Sequence, residues 1–147
     1  MSYDLDEQSA SGHDQDLQTA LLAAGLPIDD LTQSGRTFFR FADHGEVVGF
    51  GGLETYGDCA LLRSVVVLTD QRRHGYGEAI TRQMLDQASR GGARTVYLLT
   101  ESSAAFFEHL GFASVDRADA PAAILQTRQA SSLCPASAAL LAKTIQG

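Results

Sequence analysis

The chain has 147 residues and a mass of 15.7 kDa, which suits one domain and leaves little room for two. With 44% hydrophobic and 20% charged residues it suits a globular protein whose core needs neither disulfide nor metal. The net charge of −7 sits at the front: residues 1–35 hold Asp4, Asp6, Glu7, Asp14, Asp16, Asp29 and Asp30 and no Lys or Arg, while the remaining acids balance the bases. An acidic front on a neutral body speaks against duplex nucleic acid and against an anionic membrane as partners. No apolar run approaches the ~20 residues of a membrane span. Cys59 and Cys134 show no CxxC or Cys/His spacing and read as reduced thiols. Residues 1–8 are polar and acidic, unlike a secretory or transit peptide, so a cytoplasmic setting is expected.

Residues 1–13 read as a flexible acidic lead, with room for a short strand near its end, ahead of a single domain over 14–147. Asp14 or Asp16 can cap a helix that carries Leu17, Ala20, Leu21 and Ala24 on one face and stops at Gly25 and Pro27. Residues 37–42, 47–56 and 59–68 read as three strands joined by the turns Asp43-His44-Gly45 and Gly57-Asp58, an antiparallel meander. Its last strand, with Val65, Val66 and Val67, is apolar on both faces and is expected to be central. The period then changes: Ile80, Met84 and Ala88 predict a helix over about residues 75–89. Residues 95–99 follow as a buried strand, which makes a parallel crossover with the strand before the helix. Phe106, Phe107 and Leu110 mark a short helix ended by Gly111, residues 112–115 a strand, and 116–123 a loop. Residues 136–145 are apolar and open between strand and helix; as a strand they would suit a homodimer contact.

The stretch from Val65 to Glu78 carries chemistry. A buried strand runs into a turn holding Gly75 and Gly77, and that turn opens a helix. The first turn of a helix offers unpaired N–H groups and the positive end of the macrodipole, and glycines let a phosphate approach the backbone. Arg72 and Arg73 add charge at the same mouth. A Rossmann fingerprint fails because Ile80 stands where a third glycine belongs, and a P-loop fails because the chain's lysine is Lys143. A glycine-rich strand-to-helix turn without a ligand is the plain alternative. His13, His44, His74 and His109 show no metal spacing; His74 alone lies in the cradle, and no metal is expected.

The run Arg72-Arg73-His74-Gly75-Tyr76-Gly77 resembles the Arg/Gln-x-x-Gly-x-Gly/Ala motif of the GCN5-related N-acetyltransferases. The segments Gly49-Phe50-Gly51-Gly52-Leu53, Leu62-Arg63-Ser64-Val65-Val66-Val67 and Ala105-Phe106-Phe107-Glu108-His109-Leu110-Gly111-Phe112 resemble further motifs of that family in the right order, over roughly residues 14–147. The resemblance implies an α/β fold with a mixed sheet of about six to seven strands, splayed beside the cofactor strand, and acetyl-CoA held in the splay. It implies that Val65, Val66 and Val67 pair with the pantetheine arm like an added strand. The amides around Arg72, Arg73, His74, Gly75, Tyr76, Gly77 and Glu78 would hold the pyrophosphate, and Phe106 and Phe107 would cover the arm. Leu98-Leu99-Thr100 with the later phenylalanines is similar to the acetyltransferase domain of N-acetylglutamate synthases. Residues 121–137 resemble the acetyltransferases of arsenic-resistance operons. Both likenesses imply an amino-acid-like amine as acceptor.

An amine must be neutral to attack a thioester, so the chemistry asks for a base or water chain, donors to the developing oxyanion and, where needed, an acid for the thiolate. Many family members use a Tyr in the late helix as that acid, and Phe107 stands at the matching position. Thr100 is the candidate donor, Glu54 the candidate base and Glu101 the alternative base. Arg63 and Arg128, with Ser132, are candidates for a substrate carboxylate. A solvated carboxylate or a structural ion pair is the plain alternative for each charged residue. Cys134, without a neighbouring His, is expected to be an inert thiol. The leading expectation is an acetyl-CoA-dependent N-acetyltransferase acting on a small amine. An acyl-CoA sensor without turnover, suggested by Phe107, and a protein acetyltransferase are the alternatives.

Overall fold

A computed structural model of the chain describes residues 4–133 and 137–145, with side chains throughout except at 132 and 133. Strands β1 (Asp6–Ala10), β2 (Arg36–Asp43), β3 (Glu46–Tyr56), β4 (Cys59–Val67), β5 (Thr95–Thr100), β6 (Ala113–Ser114) and β7 (Ala139–Thr144) form one sheet in the order β1-β2-β3-β4-β5-β7-β6. The β4–β5 pair is parallel and the others are antiparallel. The helices are α1 (Gln15–Ala23), α2 (Tyr76–Arg90), α3 (Ala104–His109) and the single turn α4 (Ala122–Leu125). This is the mixed α/β sheet expected, with seven strands.

Two apolar layers sandwich the sheet. Ile80, Met84 and Ala88 of α2, wholly buried, pack with Phe41, Val48, Val96 and Leu141 on one face. Leu17 and Leu21 of α1 pack with Phe38, Phe50 and Val66 on the other. Helix α1 starts where its cap requires: the Asp14 carboxylate accepts from the amides of Asp16 (2.9 Å) and Leu17 (3.1 Å). The glycines of β3 flatten the floor under α2. A Cβ on Gly51 would stand 2.9 Å from Met84 Cγ, and one on Gly49 would stand 2.2 Å from the Val66 carbonyl oxygen.

Within residues 1–13, the short strand for which the sequence left room is present. Leu5 is buried, and Asp6–Ala10 pairs along β2 as the first strand of the sheet. Polar side chains do the work that an apolar pattern would otherwise signal. Gln83 of α2 donates to the Leu5 carbonyl (3.1 Å) and accepts from the Leu5 amide (2.8 Å), while Glu7 accepts from Gln83 and Gln87. Residues 139–144, open between strand and helix, form a strand because β5 and β6 pair with its two edges. Leu140 and Leu141 pack inside the chain, so the apolar run that suited a dimer contact is engaged in the fold itself.

Strand β4 carries one residue too many for its partner. Phe50 pairs with Val66 and Gly52 with Arg63, so Gly51 faces both Ser64 and Val65. Ser64 takes a left-handed φ of 58° to absorb the excess. The alternation of faces inverts there: Ala60 and Leu62 pack with α2, and after the bulge Val65 and Val67 do so while Val66 turns toward α1. Replacing Gly49 by Ala puts a methyl group against the Val66 carbonyl, backbone that cannot yield without moving the bulge. The expected loss is about 1–3 kcal/mol, read as a lower urea midpoint with an unchanged slope.

Candidate active site

The two halves of the sheet part company at β4 and β5. Their parallel ladder covers only Cys59 to Leu61 against Thr95 to Tyr97. Beyond it β4 stays with β3 and β5 stays with β7, so the facing edges diverge. The gap is a cavity of about 640 Å3, lined by residues 62–67 of β4, 98–103 at the end of β5, 23–27 after α1, and by Arg72, Gly77, Phe106, Phe107 and Gln129. Among the described strands, the backbone of 62–67 has no partner on this side.

One end of the cavity meets the start of α2. Gly75 caps that helix with φ 80°, a conformation glycine adopts without strain, and makes no side-chain capping bond. Among the described residues, the amides of Gly75, Gly77 and Glu78 donate to no protein acceptor. They are the orphan donors of a helix start, at the positive end of its dipole. A Cβ on Gly77 would stand 3.2 Å from Phe106 Cζ and 3.7 Å from Val67 Cγ2, so the glycine keeps the passage open between α2 and α3. Arg72 lines the cavity, and Arg73 and His74 are exposed beside it. Tyr76 donates from its hydroxyl to Asp43 (2.8 Å) and ties the helix start to the β2–β3 turn. Glu78 is turned along its own helix, accepting from Arg82 (3.0 Å). Open backbone edge, unpaired amides and flanking guanidinium groups together fit a diphosphate with an extended amide-bearing arm.

The other end lies against β5 and α3. Thr100 Oγ1 accepts from the Ser103 amide (2.9 Å), which fixes the oxygen and leaves its proton free to donate elsewhere. Glu101 is exposed on the cavity wall. Phe107 is buried, stacked edge-on with Phe106 (5.0 Å) and Phe112 (5.7 Å). Phe106 remains 39% exposed. Gln129, buried on the wall, comes from a single wide turn over Gln129–Leu133. Arg128 is half-buried and does not line the cavity. The side chain of Ser132 and all of Cys134 lie outside the described residues.

Glu54 is not part of the cavity lining, and Arg63, which is, turns its guanidinium onto Glu54 and Asp30. The side chains of Glu54 and Arg63 are wholly buried, as is that of Asp30. Arg63 Nη1 donates to Asp30 (2.6 Å) and Glu54 (2.8 Å), Nη2 to the second Asp30 oxygen (2.6 Å), and Nε to Ser64 Oγ (3.2 Å). Arg36 adds two bonds to Asp30 (2.9 and 3.2 Å), and the Tyr56 hydroxyl donates to Glu54. The guanidinium expected to meet a substrate carboxylate is therefore forked onto the chain's own Asp30, and the carboxylate expected to act as base is enclosed between Tyr56 and Arg63. Sequence reading missed Asp30, Arg36 and Tyr56. The available signal was an acid set in the apolar run Leu26-Pro27-Ile28-Asp29-Asp30-Leu31.

The arrangement defines a class before it defines a family: a parted sheet whose gap opens onto the amide end of a helix, built to hold a long phosphorylated cofactor. Residues 3–112 match the model of the acetyltransferase (GNAT) family. The chain belongs to that family, whose enzymes transfer acetyl groups from acetyl-CoA. N-acetylglutamate synthase from Neisseria gonorrhoeae, complexed with coenzyme A and N-acetyl-glutamate, matches all of this chain with a TM-score of 0.81 at 16% identity. The match takes in 36% of that enzyme, so this chain spans about a third of its length. Rv2747 from Mycobacterium tuberculosis, in complex with CoA and NLQ, has a TM-score of 0.71 at 17% identity, covering 96% of this chain and 99% of that one. Tetrahymena GCN5 has a TM-score of 0.76 at 14% identity, covering 98% and 97%. No curated protein matches the sequence. Among the described residues, no helix is long and apolar enough to cross a membrane.

Burial pushes the Asp30 carboxyl up, but the hydrogen bonds from Arg63 and Arg36 outweigh it and hold the group below its ordinary value of 3.8. A depressed carboxyl contributes stability that is complete above 3.8 and drains as pH falls through the folded-state value. Asp30→Asn is therefore expected to be less stable at pH 7, by about 3–5 kcal/mol. Urea midpoints taken downward from pH 5 are expected to fall less steeply in the variant than in the parent; parallel curves contradict the assignment.

Proposed function

We propose that the chain transfers the acetyl group of acetyl-CoA directly to the primary amine of a small, amino-acid-like acceptor. The observation that carries this is the unpaired β4 edge over residues 62–67, running straight into the amide end of α2 at Gly75 and Gly77. In this reading Val65, Val66 and Val67 hold the pantetheine arm through their backbone. The amides from Arg72 to Glu78 hold the diphosphate, with Arg72 and Arg73 neutralising it and His74 in contact with it. Phe106 and Phe107 cover the arm.

Thr100 is the donor to the departing thiolate, a role supported by its fixed oxygen and available proton. With Phe107 in place of a Tyr, no stronger acid stands at that position, and a CoA thiolate is a fair enough leaving group to need little help. Glu101 takes the amine's proton, supported by its exposure on the cavity wall. Glu54, the base expected from the sequence, holds Arg63 and Tyr56 in place in this reading. The complex of N-acetylglutamate synthase with N-acetyl-glutamate supports an amino acid as acceptor class. Arsenic- or phosphorus-bearing amino-acid analogues fall within that class, on the likeness of residues 121–137 to arsenic-resistance acetyltransferases. Protein amines form a second acceptor class, supported by the similarity to Tetrahymena GCN5.

Thiol release from acetyl-CoA over a panel of amino acids, their arsenic and phosphorus analogues, and lysine-bearing peptides tests the reading. Turnover on an amino-acid member is expected; tight CoA binding with no turnover across the panel turns the assignment toward a sensor. Gly77→Val is expected to weaken coenzyme A binding at least tenfold with the melting temperature unchanged, and an unaltered affinity removes the cradle. Thr100→Val removes one hydrogen bond to the thiolate and is expected to lower kcat about tenfold with the acetyl-CoA KM unchanged. Thr100→Ser, which keeps the hydroxyl, is expected to restore it.

A further inference from the structure

Arg63 is the last residue of β4 before the bulge, and its guanidinium is joined at once to three parts of the molecule. Its Nε bonds the hydroxyl of Ser64, the residue in the left-handed conformation. Its Nη1 bonds Glu54 on β3, and both Nη atoms fork onto Asp30, 33 residues earlier in the chain. Asp30 lies in the segment between α1 and β2 whose start, residues 23–27, forms a wall of the cavity facing β4. The fork is wholly buried, so no solvent dipole competes with it. The bulge itself is a strained choice for a serine and persists only where the surroundings hold it.

We infer that Asp30 is a positioning residue: acting through Arg63, it holds the Ser64 bulge in register and so keeps the edge of β4 beyond it turned toward the cavity to pair with the pantetheine arm. This rests on the acyl-CoA reading given above. The two ends of the cofactor site then depend on different parts of the chain. The diphosphate end relies on the start of α2, which Asp30 and Arg63 do not touch. The arm end relies on residues 65–67, one step past the clasp. Loss of the clasp separates the two affinities, which general destabilisation of the fold does not do.

The test measures binding of two ligands by titration calorimetry: coenzyme A, and 3′-phospho-ADP, the fragment that keeps the diphosphate and lacks the arm. In Asp30→Asn, coenzyme A is expected to bind at least tenfold more weakly than to the parent chain, with 3′-phospho-ADP within twofold. The double variant Asp30→Asn with Arg63→Gln removes one buried charge of each sign, leaves Glu54 beside Arg36 (3.9 Å), and serves if the single variant fails to fold; the same selective loss is expected. Equal losses for both ligands, or no loss for either, overturn the inference and leave the acyl-CoA reading standing. A parent chain that binds 3′-phospho-ADP and coenzyme A equally well also overturns it, and one that binds neither removes the acyl-CoA reading as well.

Discussion

One surplus residue in β4 shapes everything around the cavity. An antiparallel ladder has a side-chain period of two, so a single insertion exchanges the faces of every residue beyond it. Before Ser64 the strand presents Ala60 and Leu62 to α2; after it, Val65 and Val67 take that face and Val66 joins α1. The insertion also bends β4 away from its parallel neighbour. Strand β5 cannot follow, because β7 pairs with it from Thr95 to Thr100. Two rigid half-sheets therefore diverge from a short shared ladder, and the gap between them is built into the fold rather than opened by a ligand.

Charge is buried beside that gap in balanced form. Asp30 and Glu54 face Arg36 and Arg63, and both carboxylate oxygens of Asp30 have a guanidinium partner. A dry interior tolerates ions only when they are paired and hydrogen-bonded. Replacing the set by apolar side chains could pack as well, but would not join a loop, two strands and a bulge at one point. Gly52 makes room for it, since a Cβ there would stand 2.8 Å from the Phe38 ring and 3.2 Å from Arg63 Cγ.

Part of the acidic front is absorbed by the fold. Asp30 enters the core network, Asp14 caps α1 and pairs with Arg40, and Glu7 accepts from the glutamines of α2. The surplus of negative charge thus includes several carboxylates with assigned structural partners, which a count of charges along the chain does not reveal.

The elements whose information is local were legible before any coordinates. The meander, α2 and the parallel strand after it follow from periods of two and 3.6 broken by glycine turns, and the glycine-bearing helix start is a contiguous stretch from Val65 to Glu78. Strand β1 was legible only as room for a short strand, without its place in the sheet, because Asp-Glu-Gln-Ser-Ala has no apolar face and is held by side-chain amides from α2. The bulge was hidden because it is a mismatch of register between two strands, a property of neither alone. Glu54 and Arg63 looked like candidates for the substrate because sequence shows that a charge is present and not what it faces. Periodicity assigns a residue to a face; only the folded chain brings Asp30 across 33 positions to meet Arg63, and Coulomb pairing in a buried site then decides which charges remain for a ligand.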